Sequence, residues 1–218
     1  MKVMLFHGWG FDASFWEGVV ACLPAGSAIV ACAERGYFGA SVTEAWPEGP
    51  RAGTVAVGHS MGMLHLLADA PHDPPGAMLS INGFARFCAG PDFPAGAPGR
   101  LPARMLVRLE TAPAEVLATF RAGQGGGAAG LAEPPPTIAR ERLADDLRLL
   151  IDADMRAQWA SFTGPKAALA GLDDALITRA HAFACFGDAL RQIPGGHLLP
   201  LTAPRLCADA ILALGAGL

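Results

Sequence analysis

Gly58-His59-Ser60-Met61-Gly62 fits the pattern G-x-S-x-G, and its flanks give that pattern a mechanical meaning. Thr54-Val55-Ala56-Val57 precedes it, a short β-rich run that reads as a buried strand. Met63 to Ala70 follows, made of good helix formers and stopped by Pro71. A serine at such a strand-to-helix turn is held in strained backbone, with its hydroxyl pushed clear of the sheet. Gly58 and Gly62 remove side chains that would collide as the chain reverses. The Met61 N–H is expected to face the same space. The chemistry these residues suggest is attack by Ser60 on a carbonyl carbon.

A serine hydroxyl is a poor nucleophile near neutral pH. It needs a general base, a group that orients the base, and donors for the developing oxyanion. His197 is the candidate base. It sits in Pro194-Gly195-Gly196-His197, just past the strand-like Leu190–Ile193, on a loop that glycines let turn sharply. The other histidines fit less well. His59 lies inside the elbow with its side chain directed away, and His65 reads as packing on the next helix. His72 sits in a Pro/Asp turn, and His181 on an expected surface helix. Asp174 is the candidate acid, in the loop Gly171–Ile177 after the strand-like Lys166–Ala170. Asp173 is its close rival, and helix N-capping competes as a role for both. Asp188 is nearer His197 in sequence but falls in a turn before the last strand. Two backbone donors are expected for the oxyanion: Met61 N–H, and Trp9 N–H from the loop His7-Gly8-Trp9-Gly10. Trp9 and Phe11 would serve equally as core or pocket wall. His7 has no second histidine or carboxylate spaced to share a metal, and the chemistry calls for no metal or organic cofactor.

These loops need a sheet to carry them. Strand-like runs occur at Lys2–Phe6, Ala28–Cys32, Thr54–Val57, Ala77–Ile81, Lys166–Ala170 and Leu190–Ile193. Helical runs at Ser14–Cys22, Met63–Ala70, Thr178–Phe186 and Pro204–Leu214 separate most of them. The alternation predicts an α/β fold: a mostly parallel sheet of about six strands with helices on both faces. The regularity stops between 84 and 163. Loop punctuation there leads into expected helices at Pro102–Glu110, Pro113–Ala122 and Thr137–Ile151, with a Gly/Pro-rich, mobile stretch between the last two. Residues 1–83 and 164–218 therefore read as the core, and 84–163 as an inserted helical lid. Gly125 to Gly130 formally match G-x-G-x-x-G, but they follow a helix and lead into prolines, which is the wrong context for a dinucleotide.

At 218 residues and 52% hydrophobic, the chain can bury one substantial core. Its net charge of −4 leaves no overall nucleic-acid footprint. No apolar run reaches transmembrane length, and the N-terminal run is too short for a signal-peptide core, so the reading is cytoplasmic. Five scattered cysteines without a C-x-x-C read as reduced, mostly buried thiols.

Leu5-Phe6-His7-Gly8-Trp9-Gly10, the elbow, Gly171-Leu172-Asp173-Asp174 and Gly196-His197 together resemble the α/β-hydrolase superfamily. Within it the chain is most similar to the pimeloyl-[acyl-carrier protein] methyl ester esterases of biotin synthesis. His7-Gly8-Trp9-Gly10 carries that narrower likeness, with the lid borders Asn82–Cys88 and Leu147–Leu150 leading to Asp154-Met155-Arg156. The resemblance covers most of the chain and is loose in the lid. It implies Ser60 as nucleophile, Asp174 as acid, His197 as base, and Trp9 and Met61 as oxyanion donors. The implied reaction is cleavage of the methyl ester from a carrier-bound pimeloyl group. Four departures bear on substrate: Ala33–Gly39 replaces the family's D-x-P-G-x-G, Met63 stands where a third glycine is common, the family's N-terminal hairpin is missing, and the lid is shorter.

Arg100, Arg104 and Arg108 recur every four residues at the start of the lid. Like charges at that spacing cost roughly 0.2–0.5 kcal/mol per pair in an isolated helix, so a ridge of them suits docking to an acidic acyl-carrier protein. A solvated face, or pairing with Asp145 and Asp146, is the plainer account. Two other functions fit the same residues: a broad carboxylesterase or thioesterase, and a ligand-binding module with little turnover.

Overall fold

A computed structural model describes residues 1–25, 28–43, 46–126 and 135–218. Six strands form one sheet: β1 (Lys2–Phe6), β2 (Ile29–Cys32), β3 (Thr54–His59), β4 (Ala77–Ile81), β5 (Lys166–Gly171) and β6 (Leu190–Ile193). The strand order is β2-β1-β3-β4-β5-β6, and every neighbouring pair is parallel. A parallel sheet must be covered on both faces. Accordingly every residue of β3 and β4 is buried.

Alternation along the strands divides the core in two. Val3, Leu5, Val55 and Val57 face one side, against α1 (Glu17–Cys22) and α9 (Pro204–Gly215). Met4, Phe6, Ala56 and Met78 face the other, against α2 (Gly62–Asp69) and the insertion. The insertion joins β4 to β5. It carries α3 (Arg100–Leu109), α4 (Pro113–Gly123), α5 (Arg140–Asp152) and α6 (Arg156–Ser161). Its two ends are clamped together. Met155 N–H donates to the Ala85 carbonyl at 2.7 Å, and Arg86 Nη1 donates to Asp154 Oδ2 at 3.0 Å. After β5 come α7 (Arg179–Phe186) and, past β6, the single turn α8 (Leu199–Thr202).

The expected strands and principal helices are present, with ends shifted by a few residues. The first helix opens as a 3₁₀ turn, Ala13–Trp16, capped by the Asp12 carboxylate, and α5 begins at Arg140. Helices α6 and α8 were not expected; each is too short for a periodic apolar pattern to declare it. Residues 127–130 of the formal G-x-G-x-x-G match, and Pro134, lie outside the described residues. Among the described residues no helix is long and apolar enough to cross a membrane. All five cysteines are free, three buried and two half-buried.

The order of the strands positions the site. The chain leaves β1 for β2 on one side, then crosses to β3 on the other. The carboxyl ends of β1 and β3 therefore border a crevice, the usual ligand position in an open parallel sheet. The loop after β1 holds Trp9, and the turn after β3 holds Ser60.

Candidate active site

Ser60 adopts φ of 52°, left-handed backbone that a serine rarely takes. What holds it there is close packing around the turn. Its N–H donates to the Ile81 carbonyl at 3.3 Å, and its own carbonyl accepts the Met63 N–H at 3.1 Å. A Cβ on Gly58 would stand 2.5 Å from the Met63 Cα. One on Gly62 would collide with the Phe6 carbonyl oxygen and stand 2.7 Å from that of His7. None of these backbone obstacles can swing aside. Gly62→Ala is expected to destabilise the protein by about 3 kcal/mol in denaturant unfolding. Gly53→Ala, with open space around the added methyl, is the matched neutral control.

His197 Nε2 lies 3.1 Å from Ser60 Oγ, and His197 Nδ1 lies 2.8 Å from Asp174 Oδ2. All three side chains are buried. The ionised carboxylate only accepts, so Nδ1 carries the imidazole proton and bare Nε2 accepts from the serine hydroxyl. Asp174 is fully engaged. Oδ2 also accepts from Asn82 Nδ2 at 2.7 Å, and Oδ1 accepts from the Leu176 and Ile177 N–H groups at 2.8 and 2.9 Å. Burial alone would raise its pKa. The hydrogen bond and charge of His197, with the Ile177 and Asn82 donors, outweigh burial and hold it below the usual carboxylate range. Asp173 is exposed and gives its N–H to the Gly195 carbonyl, and of the two aspartates Asp174 is the one within hydrogen-bond distance of His197. The helix that follows is capped by Thr178 instead.

Two supporting residues escaped the sequence. Asn82 follows β4 with φ of 47°, and that turn aims its amide at Asp174. His59 is not simply directed away from the site. Its ring is buried against Phe15, 4.5 Å between centroids, and its Nε2 lies 3.0 Å from the His197 carbonyl. That carbonyl only accepts, so His59 Nε2 carries the proton. Burial first, and neighbouring His197 second, push the His59 pKa down to about 3. A neutral His59 thus braces the loop that carries His197. Nothing local to either residue signals these contacts.

His181 corrects an expectation. It lies on α7, but buried rather than on the surface, with Nε2 2.8 Å from the Arg86 carbonyl and its ring among Phe84, Phe87 and Phe93. A mixed helix face hid this, since α7 packs under the insertion as well as on the sheet. His7 is not isolated either: Glu34 Oε1 lies 3.9 Å from its Nε2. Among the described residues no three His, Cys, Asp or Glu side chains cluster to hold a metal.

Ser60, Met61 and Trp9 line a common cavity of about 290 Å³. Phe84, Phe87, Leu147, Leu150 and Leu176 supply apolar wall, and α3 and α4 close the far side with Leu101, Met105 and Phe120, joined by Gln124 at the end of α4. Arg104 also borders it. Arg104 is exposed and makes no ion pair among the described residues. The rest of the ridge differs. Arg108 pairs with Glu115 of the next helix at 2.8 Å, both well exposed, and Arg100 stands in solvent. Asp145 and Asp146 do not serve the ridge. Asp145 pairs with Arg148. Asp146 lies on the buried face of α5, taking Arg35 Nη2 at 3.0 Å and the Tyr37 hydroxyl, with His65 Nε2 3.5 Å away. His65 therefore faces a carboxylate as well as packing.

The cavity can admit an apolar carbonyl compound and place it beside a hydroxyl that is hydrogen-bonded to a histidine–carboxylate pair. Known structures share this scaffold. A bromoperoxidase from Bacillus anthracis superposes with a TM-score of 0.81 at 17% identity, covering 98% of this chain and 91% of that one. An esterase from Exiguobacterium antarcticum gives 0.79 at 13% identity, covering 99% and 92%. An extracellular α/β-hydrolase from a Paenibacillus species gives 0.64 at 16% identity, covering 99% of each chain. No protein-family model matches the chain, and no curated protein sequence matches it. Likeness at these identities concerns architecture: the chain has the α/β-hydrolase fold.

Proposed function

We propose that this α/β-hydrolase-fold protein is a serine esterase, and that its substrate is the methyl ester of a carrier-bound pimeloyl group. The observation that carries the reaction class is the unbroken hydrogen-bond line from Ser60 Oγ through His197 to Asp174, at 3.1 and 2.8 Å, on a serine strained into the left-handed region beside an apolar cavity. Ser60 Oγ attacks the ester carbonyl carbon as His197 Nε2 takes the hydroxyl proton. The oxyanion receives the Trp9 and Met61 N–H groups. His197 returns the proton to the leaving oxygen, and methanol departs. Water, deprotonated by His197, then frees the acid from Ser60. Asp174 stays ionised throughout and stabilises the imidazolium.

The narrower substrate rests on the His7-Gly8-Trp9-Gly10 loop, the borders of the insertion and the cation at the cavity rim. An acidic carrier would meet Arg100, Arg104 and Arg108, of which Arg108 is already partly neutralised by Glu115. Reversing charge at Arg104 and Arg108 is expected to raise KM for a carrier-bound ester up to about tenfold more than KM for a small neutral ester. Equal changes in the two would remove the carrier from the proposal.

A broad carboxylesterase or thioesterase is the second reading, favoured by the mainly aliphatic and aromatic cavity wall. Mass spectrometry separates the two. Pimeloyl-carrier methyl ester incubated with enzyme should lose the mass of one CH₂, and Ser60→Ala should leave it intact. No loss, with small esters still cleaved, supports the broad reading. No labelling of Ser60 by a fluorophosphonate probe would overturn both and point to a binding module.

A further inference from the structure

The loop that follows β1 is held from outside the core. Arg121, on α4 of the insertion, is buried, at 4% exposure. Its Nε and Nη2 both donate to the Gly10 carbonyl, at 3.0 and 2.7 Å. The guanidinium carbon stands 5.1 Å from the Phe38 ring centre and 5.6 Å from that of Phe11. Gly10 is pressed against the same helix. Its φ is +74°, and a Cβ there would stand 3.0 Å from Leu117. Trp9 is tied to the insertion twice more. Its ring meets Phe120 edge-on at 5.0 Å, and its indole N–H donates to the Leu143 carbonyl on α5 at 2.9 Å.

A buried cation is weak evidence for stability, because its desolvation offsets much of what its partners return. An aliphatic side chain could fill the space but would leave the Gly10 carbonyl without these two donors. What aliphatic carbon cannot do is grip one carbonyl with two N–H groups in a rigid fork. We infer that Arg121 is a positioning residue: from the insertion it locks the Gly8–Gly10 loop so that the Trp9 N–H faces the oxyanion, and the oxyanion site is complete only while α4 is seated. The inference rests on the reading of Trp9 as an oxyanion donor. It gives the insertion a role beyond covering substrate. Phe120 of α4 and Gln124, which caps its end, are cavity wall, so a chain lying in the cavity bears on the helix that sets the loop.

The test is steady-state hydrolysis of p-nitrophenyl butyrate by Arg121→Met and Arg121→Lys, with kcat expressed per site titrated by the fluorophosphonate. Misplacing one oxyanion donor is expected to lower kcat per titrated site about 10²-fold in Arg121→Met. Arg121→Lys, which keeps the charge but donates from one point, falls less. KM stays within about twofold of the wild type in both, since the lost interaction belongs to the transition state. Affinity for an alkyl boronic acid, whose tetrahedral adduct puts oxygen in the oxyanion position, weakens by the same factor as kcat. A purely structural role would lower the titratable fraction and leave kcat per site alone. That result in both variants, or in Arg121→Lys if Arg121→Met does not fold, overturns the inference while leaving the esterase proposal standing. A wild-type Ser60 that takes no label fails the esterase proposal instead.

Discussion

Ser60→Ala is expected to lower kcat for p-nitrophenyl butyrate about 10⁶-fold. Removing the hydroxyl removes the acyl-enzyme, and His197 and Asp174 then act on nothing. Their contributions depend on the serine, so adding His197→Ala to Ser60→Ala should cost little more. Residual hydrolysis above the water rate would report what cavity and oxyanion donors do unaided. The fold should tell the same story from the opposite side. Left-handed backbone costs a residue with a Cβ roughly 1–2 kcal/mol, and glycine escapes most of it. Ser60→Gly should be as inactive as Ser60→Ala and more stable than it by about 1 kcal/mol. Equal melting temperatures for the two would mean that φ of 52° stores no strain.

Asp174→Asn carries the second large effect, about 10⁴-fold in kcat. The reason lies in the acceptor inventory at this carboxylate. Oδ1 takes two backbone N–H groups, and Oδ2 takes Asn82 Nδ2 and faces His197 Nδ1. An amide has one acceptor end. Turned toward Leu176 and Ile177, it satisfies the backbone and presents NH₂ to His197 and Asn82. The imidazole must then move its proton to Nε2, where it can no longer accept from Ser60. Asn82, whose Oδ1 has no hydrogen-bond partner among the described residues, can flip its amide and accept from the new NH₂, so stability should fall by less than about 1 kcal/mol. Kinetics and urea unfolding on one preparation check both. Near-wild-type kcat would place the acid elsewhere.

The parts of this site that the sequence exposes are those with local signatures. Ser60 sits between a β-rich run and a helical run, with glycines at the two positions where a side chain cannot fit. Asp174 and His197 each follow a strand by a few residues, so the sheet topology alone gathers them at one edge. Their supports have no such mark. Asn82 acts on a residue 92 positions away, Arg121 on a loop 111 positions away, and His59 on a carbonyl 138 positions away. Arg121 illustrates the difficulty. An arginine among alanines and glycines at the end of a helix reads as a solvated charge, and only tertiary packing turns it inward. The buried Asp146 is the same case, a helix carboxylate that finds Arg35 and Tyr37 across the fold.

The clamp between Arg86 and Asp154 has an evolutionary consequence. It closes the insertion as a loop on the sheet, so the β4–β5 register need not know what lies between. The entropy of closing a flexible loop grows only with the logarithm of its length, about 0.6 kcal/mol per doubling. The closure cost of helices gained, lost or re-cut between the two clamped ends is therefore small, and what restrains such change is the packing of insertion side chains such as Leu117, Leu143 and Leu147 in the core. Ser60, Asp174 and His197 lie outside that segment, while most of the cavity wall lies inside it. Specificity can drift in such a chain while the reaction stays fixed, and Arg121 is where the drifting part remains answerable to the fixed one.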